Sequence, residues 1–365
     1  MIPEVIFGMP ANVVFNQTVY KLVEIVVYIL LFICVRDSLR KGRVLTTEQS
    51  AGGWAAPNYS GLFMMLSAMI FTFSFEYLLT HKEDAIYAYK MDAIIELGAK
   101  TTASGAVIPG SAVPLWIPCG WAFIMYVVMQ TTDKLELVWY KRPVADALMA
   151  LMIDFALDPI AVLNQWWVWD LEKLRQLEPE KVENMTRFFG IPATNFMAWI
   201  VIVGTFSFFV RLGHRKLIAP GTKGWWGDAL VPALAAIPSI GLVIVYTLIA
   251  RWFMAKPELW ANGALLCSVI WAALFLWVIK DAGRMRTDHP KDDAVVDSAR
   301  RFLIVLVIAL YTTHTADRVP LYVDTPELAI FVPVCAVLGG IFFAWPYLEG
   351  RRPKDWKRRD EAAGK

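Results

Sequence analysis

Windows of about 20 consecutive apolar residues recur along this chain. At 1.5 Å of rise per helical residue, each is long enough to cross the ~30 Å hydrocarbon core of a bilayer. Of its 365 residues, 57% are hydrophobic and only 19% are charged, where soluble proteins carry about 25%. The chain therefore reads as all-α, a polytopic transmembrane helical bundle of about nine spans. The windows fall at about 18–35, 60–79, 112–131, 144–163, 191–211, 229–253, 261–279, 302–316 and 328–347. A single transmembrane domain is expected over 1–350, followed by a basic tail at 351–365 on the cytoplasmic side.

Orientation follows from the positive charges between the spans. Of the 35 lysines and arginines, 24 fall in alternate connections and the tail, nine fall in the others, and Lys21 and Arg251 lie at span ends. The asymmetry predicts an N-terminus outside and a C-terminus inside. The N-terminal stretch MIPEVIFGMPANVVFNQT has no Lys or Arg and does not read as a signal peptide. The expected location is the bacterial inner membrane. Two connections on the outer side are long. Residues 80–111 are expected to include a short interfacial helix. Residues 164–190 open on Trp166, Trp167 and Trp169 and continue as an amphipathic helix; those tryptophans read equally well as a belt at the headgroups.

The chemistry is limited by what is missing from the sequence. No nucleotide-binding glycine loop, nucleophile elbow or metal-spaced His/Cys cluster is present, and nothing points to nucleic acid. Cys34, Cys119, Cys267 and Cys335 lie in apolar segments without CxxC spacing, which supports neither a disulfide framework nor a zinc site. His81 and His314 stand at span ends, and His214 and His289 in basic loops. The acids are the stronger signal. A carboxylate at the centre of a membrane helix costs roughly 2.5–3.5 kcal/mol on insertion scales. Glu76 lies deep in the second span, and Asp154 and Asp158 in the fourth. Asp154 and Asp158 are four residues apart and share one helix face. Pro159 follows and is expected to kink the helix there. A buried carboxylic acid suits general acid catalysis, and tryptophan faces can stabilise a cation. That combination fits protonation of a lipid olefin, and it fits a proton relay equally well.

Three ordered blocks carry a family resemblance. The first is Val113-Pro114-Leu115-Trp116-Ile117-Pro118, then Trp121. The second is Asp158-Pro159-Ile160-Ala161-Val162, then Trp167-Val168-Trp169. The third is Gly190-Ile191-Pro192-Ala193-Thr194-Asn195-Phe196-Met197-Ala198-Trp199. With Glu76 ahead of Tyr87-Ala88-Tyr89, they resemble the integral-membrane carotenoid-biosynthesis proteins of the CruF type. These are the carotenoid 1,2-hydratases and bisanhydrobacterioruberin hydratases. The resemblance covers about 60–215. Two departures stand out: His81-Lys82-Glu83-Asp84 replaces a glycine-rich stretch, and Ala198 stands where glycine is usual.

The resemblance implies addition of water to the terminal double bond of a linear carotenoid, without metal or redox cofactor. In that scheme Asp158, the first choice because it lies in a matched block, or Asp154 delivers the proton. Glu76 is the third acid, and Asn195 orients water. Trp167, Trp169, Trp199, Tyr87, Tyr89 and Trp121 hold the substrate. The expected partners are a linear carotenoid or other isoprenoid lipid and the surrounding membrane lipids. A proton-coupled transporter, and a non-catalytic pigment- or lipid-binding subunit of a membrane complex, are the competing readings.

Overall fold

The computed structural model describes residues 5–6, 9–49, 59–81, 87–99, 101, 111–133, 137–169, 187–188, 191–216, 225–254 and 263–279. Helix accounts for 81% of them, in seven helices. These are α1 (Ala11–Gln49), α2 (Ser60–Thr80), α3 (Trp116–Thr132), α4 (Arg142–Leu163), α5 (Ala193–Lys216), α6 (Trp225–Met254) and α7 (Gly263–Ile279). They coincide with the first seven expected spans. Four contain segments long and apolar enough to cross a membrane: Gln17–Lys41, Ser60–Thr80, Thr194–Lys216 and Gly227–Ala250. The windows at 302–316 and 328–347, the tail, His289 and His314 lie outside the described residues.

Helix α3 sits at the centre. It packs on α1, α2 and α4, while α5 packs on α4 and on α6, and α6 returns to α2. Every residue of α3 except Gln130 is buried. Its Pro118 and the Pro143 of α4 fall in first turns, where backbone N–H groups have no partner within the helix, so proline removes nothing. Outside this centre, Ile70, Ile237, Leu248 and Trp252 turn outward, as a lipid-facing surface requires.

Many polar groups inside the bundle find partners. Thr72, Thr131, Thr205 and Thr247 donate to the carbonyl four residues back. Asp228, in the first turn of α6, accepts from Tyr59 N–H at the start of α2, at 2.9 Å. Glu24 of α1 is fully buried; it accepts from Tyr28 Oη at 2.7 Å and from Ile94 N–H at 2.7 Å. That carboxylate fastens the connection after α2 to α1. Cys34 and Cys119 are buried.

The long connections are described in part, and their described parts include short strands. Among the described residues of 81–111 there is no helix. After the N-terminal pair β1 (Val5–Ile6) and β2 (Met9–Pro10), the described part of this connection carries β3 (Tyr87–Tyr89) and β4 (Glu96–Leu97). Strand β4 pairs antiparallel with β5 (Val113–Pro114), and β3 pairs antiparallel with β6 (Trp167–Trp169). In the second pair Tyr87 faces Trp169 and Tyr89 faces Trp167. Strand pairing satisfies these backbone groups without a helix. Residues 170–186, where the amphipathic helix was expected, lie outside the described residues. Trp166 and Trp167 are buried at 0% and 5% exposure, so they belong to the interior and not to a headgroup belt.

Candidate functional site at the strand-covered end of the bundle

The β3–β6 pair lies over one end of the bundle, and beneath it three acidic side chains converge. Glu76 enters from the last turns of α2. Its Oε2 accepts from Tyr89 Oη at 2.9 Å and its Oε1 from Trp121 Nε1 at 3.3 Å. Both carboxylate oxygens are thus held, one from β3 and one from α3. Burial, with the Glu76 carboxyl close by, pushes the Tyr87 and Tyr89 phenols well above the ordinary tyrosine range. Both therefore remain neutral O–H donors.

Asp154 and Asp158 come from α4, which continues as helix through Pro159 to Leu163. The i, i+4 spacing brings their carboxyls within hydrogen-bonding reach of one another. Asn195, in the first turn of α5, meets both. Its Nδ2 donates to Asp158 Oδ2 at 2.5 Å and lies 3.5 Å from Asp154 Oδ2. Asp154 Oδ1 is buried and has no hydrogen-bond partner among the described residues. The pair therefore differs within itself: Asp158 has a donor held against it, and one oxygen of Asp154 has none. Asp158 is also close enough to Glu76 and to Tyr87 to act on them electrostatically.

Aromatic rings close the space around these acids. Trp121 and Trp199 lie with centroids 3.9 Å apart at an interplanar angle of 32°, and Phe75 meets Trp121 edge-on at 5.6 Å. Tyr87 packs on Trp169 at 4.8 Å and Tyr89 meets Trp167 edge-on at 6.5 Å. Behind them, Trp116 and Trp166 flank the buried ring of Tyr20. All ten residues singled out in the sequence fall at this one end. Phe75 and Tyr20 are additions. Phe75 was detectable as the neighbour of Glu76; Tyr20 gave no sequence signal, because an isolated tyrosine early in a span looks like any interfacial anchor.

The histidines play other parts. His81 stacks on Tyr77 at 3.6 Å, and its Nε2 bonds to the Gly98 carbonyl. His214 lies in the last turn of α5, not in a loop. Among the described residues, no group of three or more His, Cys, Asp or Glu side chains is arranged to hold a metal ion.

The opposite end of the bundle holds a second polar network that the sequence reading did not single out. Asp146 of α4 is fully buried and accepts from Ser207 Oγ at 2.5 Å, from Thr132 Oγ1 and from Arg211 Nη2 at 3.0 Å. Arg211 lies inside α5, although its position at the end of an apolar window suggested a loop charge. A signal existed: Asp146, Asp154 and Asp158 fall at intervals of eight and four, all on one stripe of α4.

The carotenoid biosynthesis protein family model matches residues 58–256. This chain is a member of that family. The match takes in all ten site residues and extends past 215 through the whole of α6, so the family region is longer than the three motif blocks indicated. Helices α1 and α7 fall outside it. No curated protein and no solved structure matches the chain. Membership places this membrane protein in carotenoid biosynthesis and gives its site an isoprenoid context.

Proposed function

We propose that this protein adds water to the terminal double bond of a linear carotenoid end group by acid-catalysed hydration. The observation that carries this reading is the convergence of Glu76, Asp154 and Asp158 with Asn195 beneath the Trp121–Trp199 ring pair, in a member of a carotenoid-biosynthesis family.

The chemistry needs an acid, a base, water and shelter for a cation. A hydrogen bond between two carboxyls requires one proton on the pair. Asn195 donates to Asp158 and favours its carboxylate form, so the proton resides on Asp154. Asp154 transfers it to the less substituted carbon of the terminal olefin, leaving a tertiary cation. The faces of Trp121 and Trp199 and the carboxyl oxygens of Glu76 stabilise that cation. Water attacks it; Asp158 takes the released proton and returns it to Asp154 across their hydrogen bond. The sum is one water added and no change of redox state. Trp167, Trp169, Tyr87 and Tyr89 form the cover under which the polyene end is held, with water otherwise excluded.

The test is expression in a lycopene-producing bacterium with mass analysis of the pigments. The reading expects products heavier by one water per modified end group. Unchanged pigments from a well-expressed protein would remove it and favour a pigment-binding subunit. Proton uptake driven by pigment export would favour a transporter.

We propose further that the chain crosses the inner membrane of a bacterium nine times, N-terminus outside and tail inside. The uneven loop charge supports this orientation, and it sets the candidate site at the outer face.

A further inference from the structure

At the end of the bundle opposite the acids there is a cavity of about 440 Å³. Its polar lining includes Arg142, Arg211, Arg215, His214, Gln130 and Asp133, and its apolar lining Met64, Met129, Val210 and Trp139. We propose that this cavity is a binding site for the phosphate group of an anionic lipid, held chiefly by Arg215 and Arg142.

The three arginines have different duties. Arg211 is committed to the protein: it bonds to Ser207, Thr132, Asp133 and Asp146 and is only 11% exposed. Arg142 spends Nε on the Leu137 carbonyl at 3.0 Å and Nη1 on Asp133 at 3.1 Å; its Nη2 has no partner among the described residues. Arg215 lies over the Trp139 ring at 5.3 Å, and Trp139 is itself stacked on Phe208. That stack fixes the guanidinium plane while leaving its N–H groups unspent. Gln130 accepts from Lys41 through Oε1, so its amide NH₂ is the end left to donate. Asp133 and Asp146 balance two of the three arginines, and one positive charge remains, outermost at Arg215.

An uncompensated guanidinium beside a second with a spare N–H is suited to a bidentate grip on a phosphate. The other half of the lining is apolar, which suits a phosphate carrying a hydrocarbon chain more than a free ion. Basic pockets between transmembrane helices at a membrane surface are a recognised setting for lipid headgroups.

The experiment is native mass spectrometry of the full chain released from detergent after titration with phosphatidylglycerol, phosphatidylcholine or inorganic phosphate. Phosphatidylglycerol should give a retained one-lipid adduct, and phosphatidylcholine should not. In Arg215→Gln and Arg142→Gln the adduct should fall about five-fold or more. Lys216→Gln, which removes an exposed charge next door that does not line the cavity, should leave it unchanged. Equal adduct in Arg215→Gln and the parent, or equal loss in Lys216→Gln, would overturn the site. Displacement of the lipid by millimolar inorganic phosphate would overturn the lipid as its occupant.

Discussion

Asp154 and Asp158 are the same residue type on the same stripe of α4, yet their company sets them apart. Asn195 donates to one, and an oxygen of the other faces no donor among the described residues. This leads to a graded expectation. Asp154→Asn should insert and still bind carotenoid while losing hydration by about 10²-fold or more, the usual scale for general acid catalysis. Asp158→Asn and Glu76→Gln should also lower turnover, and pigment mass ratios at matched protein levels measure all three. A purely structural role gives the reverse pattern: Asn tolerated, Leu damaging. These acids were legible in the sequence because a charge within an apolar window is costly and stands out. Arg211 was not, since a charge at a window's edge reads as loop. Its burial against Asp146 makes a second expectation. Arg211→Gln should destabilise the fold by about 3–5 kcal/mol through the unpaired Asp146 carboxylate. Pairing it with Asp146→Asn should recover part of that loss, as read by thermal unfolding in detergent.

The helices were legible as elements because apolar length needs no knowledge of partners. The strands were not. Tyr87-Ala88-Tyr89 carries no strand-forming run of its own, and it is extended because Trp167-Val168-Trp169 arrives to pair with it. The tryptophan cluster was ambiguous for the same reason: nothing local separates a buried strand from a headgroup belt. Close helix contacts were equally hidden. Gly213 of α5 lies so near α6 that an added Cβ would come within 2.7 Å of Val231 Cγ1, and valine has little rotamer freedom to yield. Gly213→Ala should therefore cost about 1–3 kcal/mol by overpacking, and Val231→Ala in the same chain should restore most of the melting temperature. A single variant as stable as the parent would show that α5 and α6 are not so tightly apposed.

On the scale of the whole molecule, topology is the open expectation. Reporter fusions after Arg43, Arg142, Arg215 and Arg301 should all report cytoplasm; an outside signal from any two would reverse or break the nine-span alternation. The pairing of β3 with β6 also has a bearing on how the protein is made. Its two strands lie about eighty positions apart in the chain, with α3 and α4 between them. During synthesis β3 leaves the ribosome directly after α2 and must wait, one edge unpaired, until two more helices have been made. A nascent chain stopped short of Trp167 would thus hold α1 to α4 but still have no roof over Glu76. Covering of the site becomes a late event, set by the arrival of one short strand, and the site is complete only when α5 brings in Asn195 and Trp199.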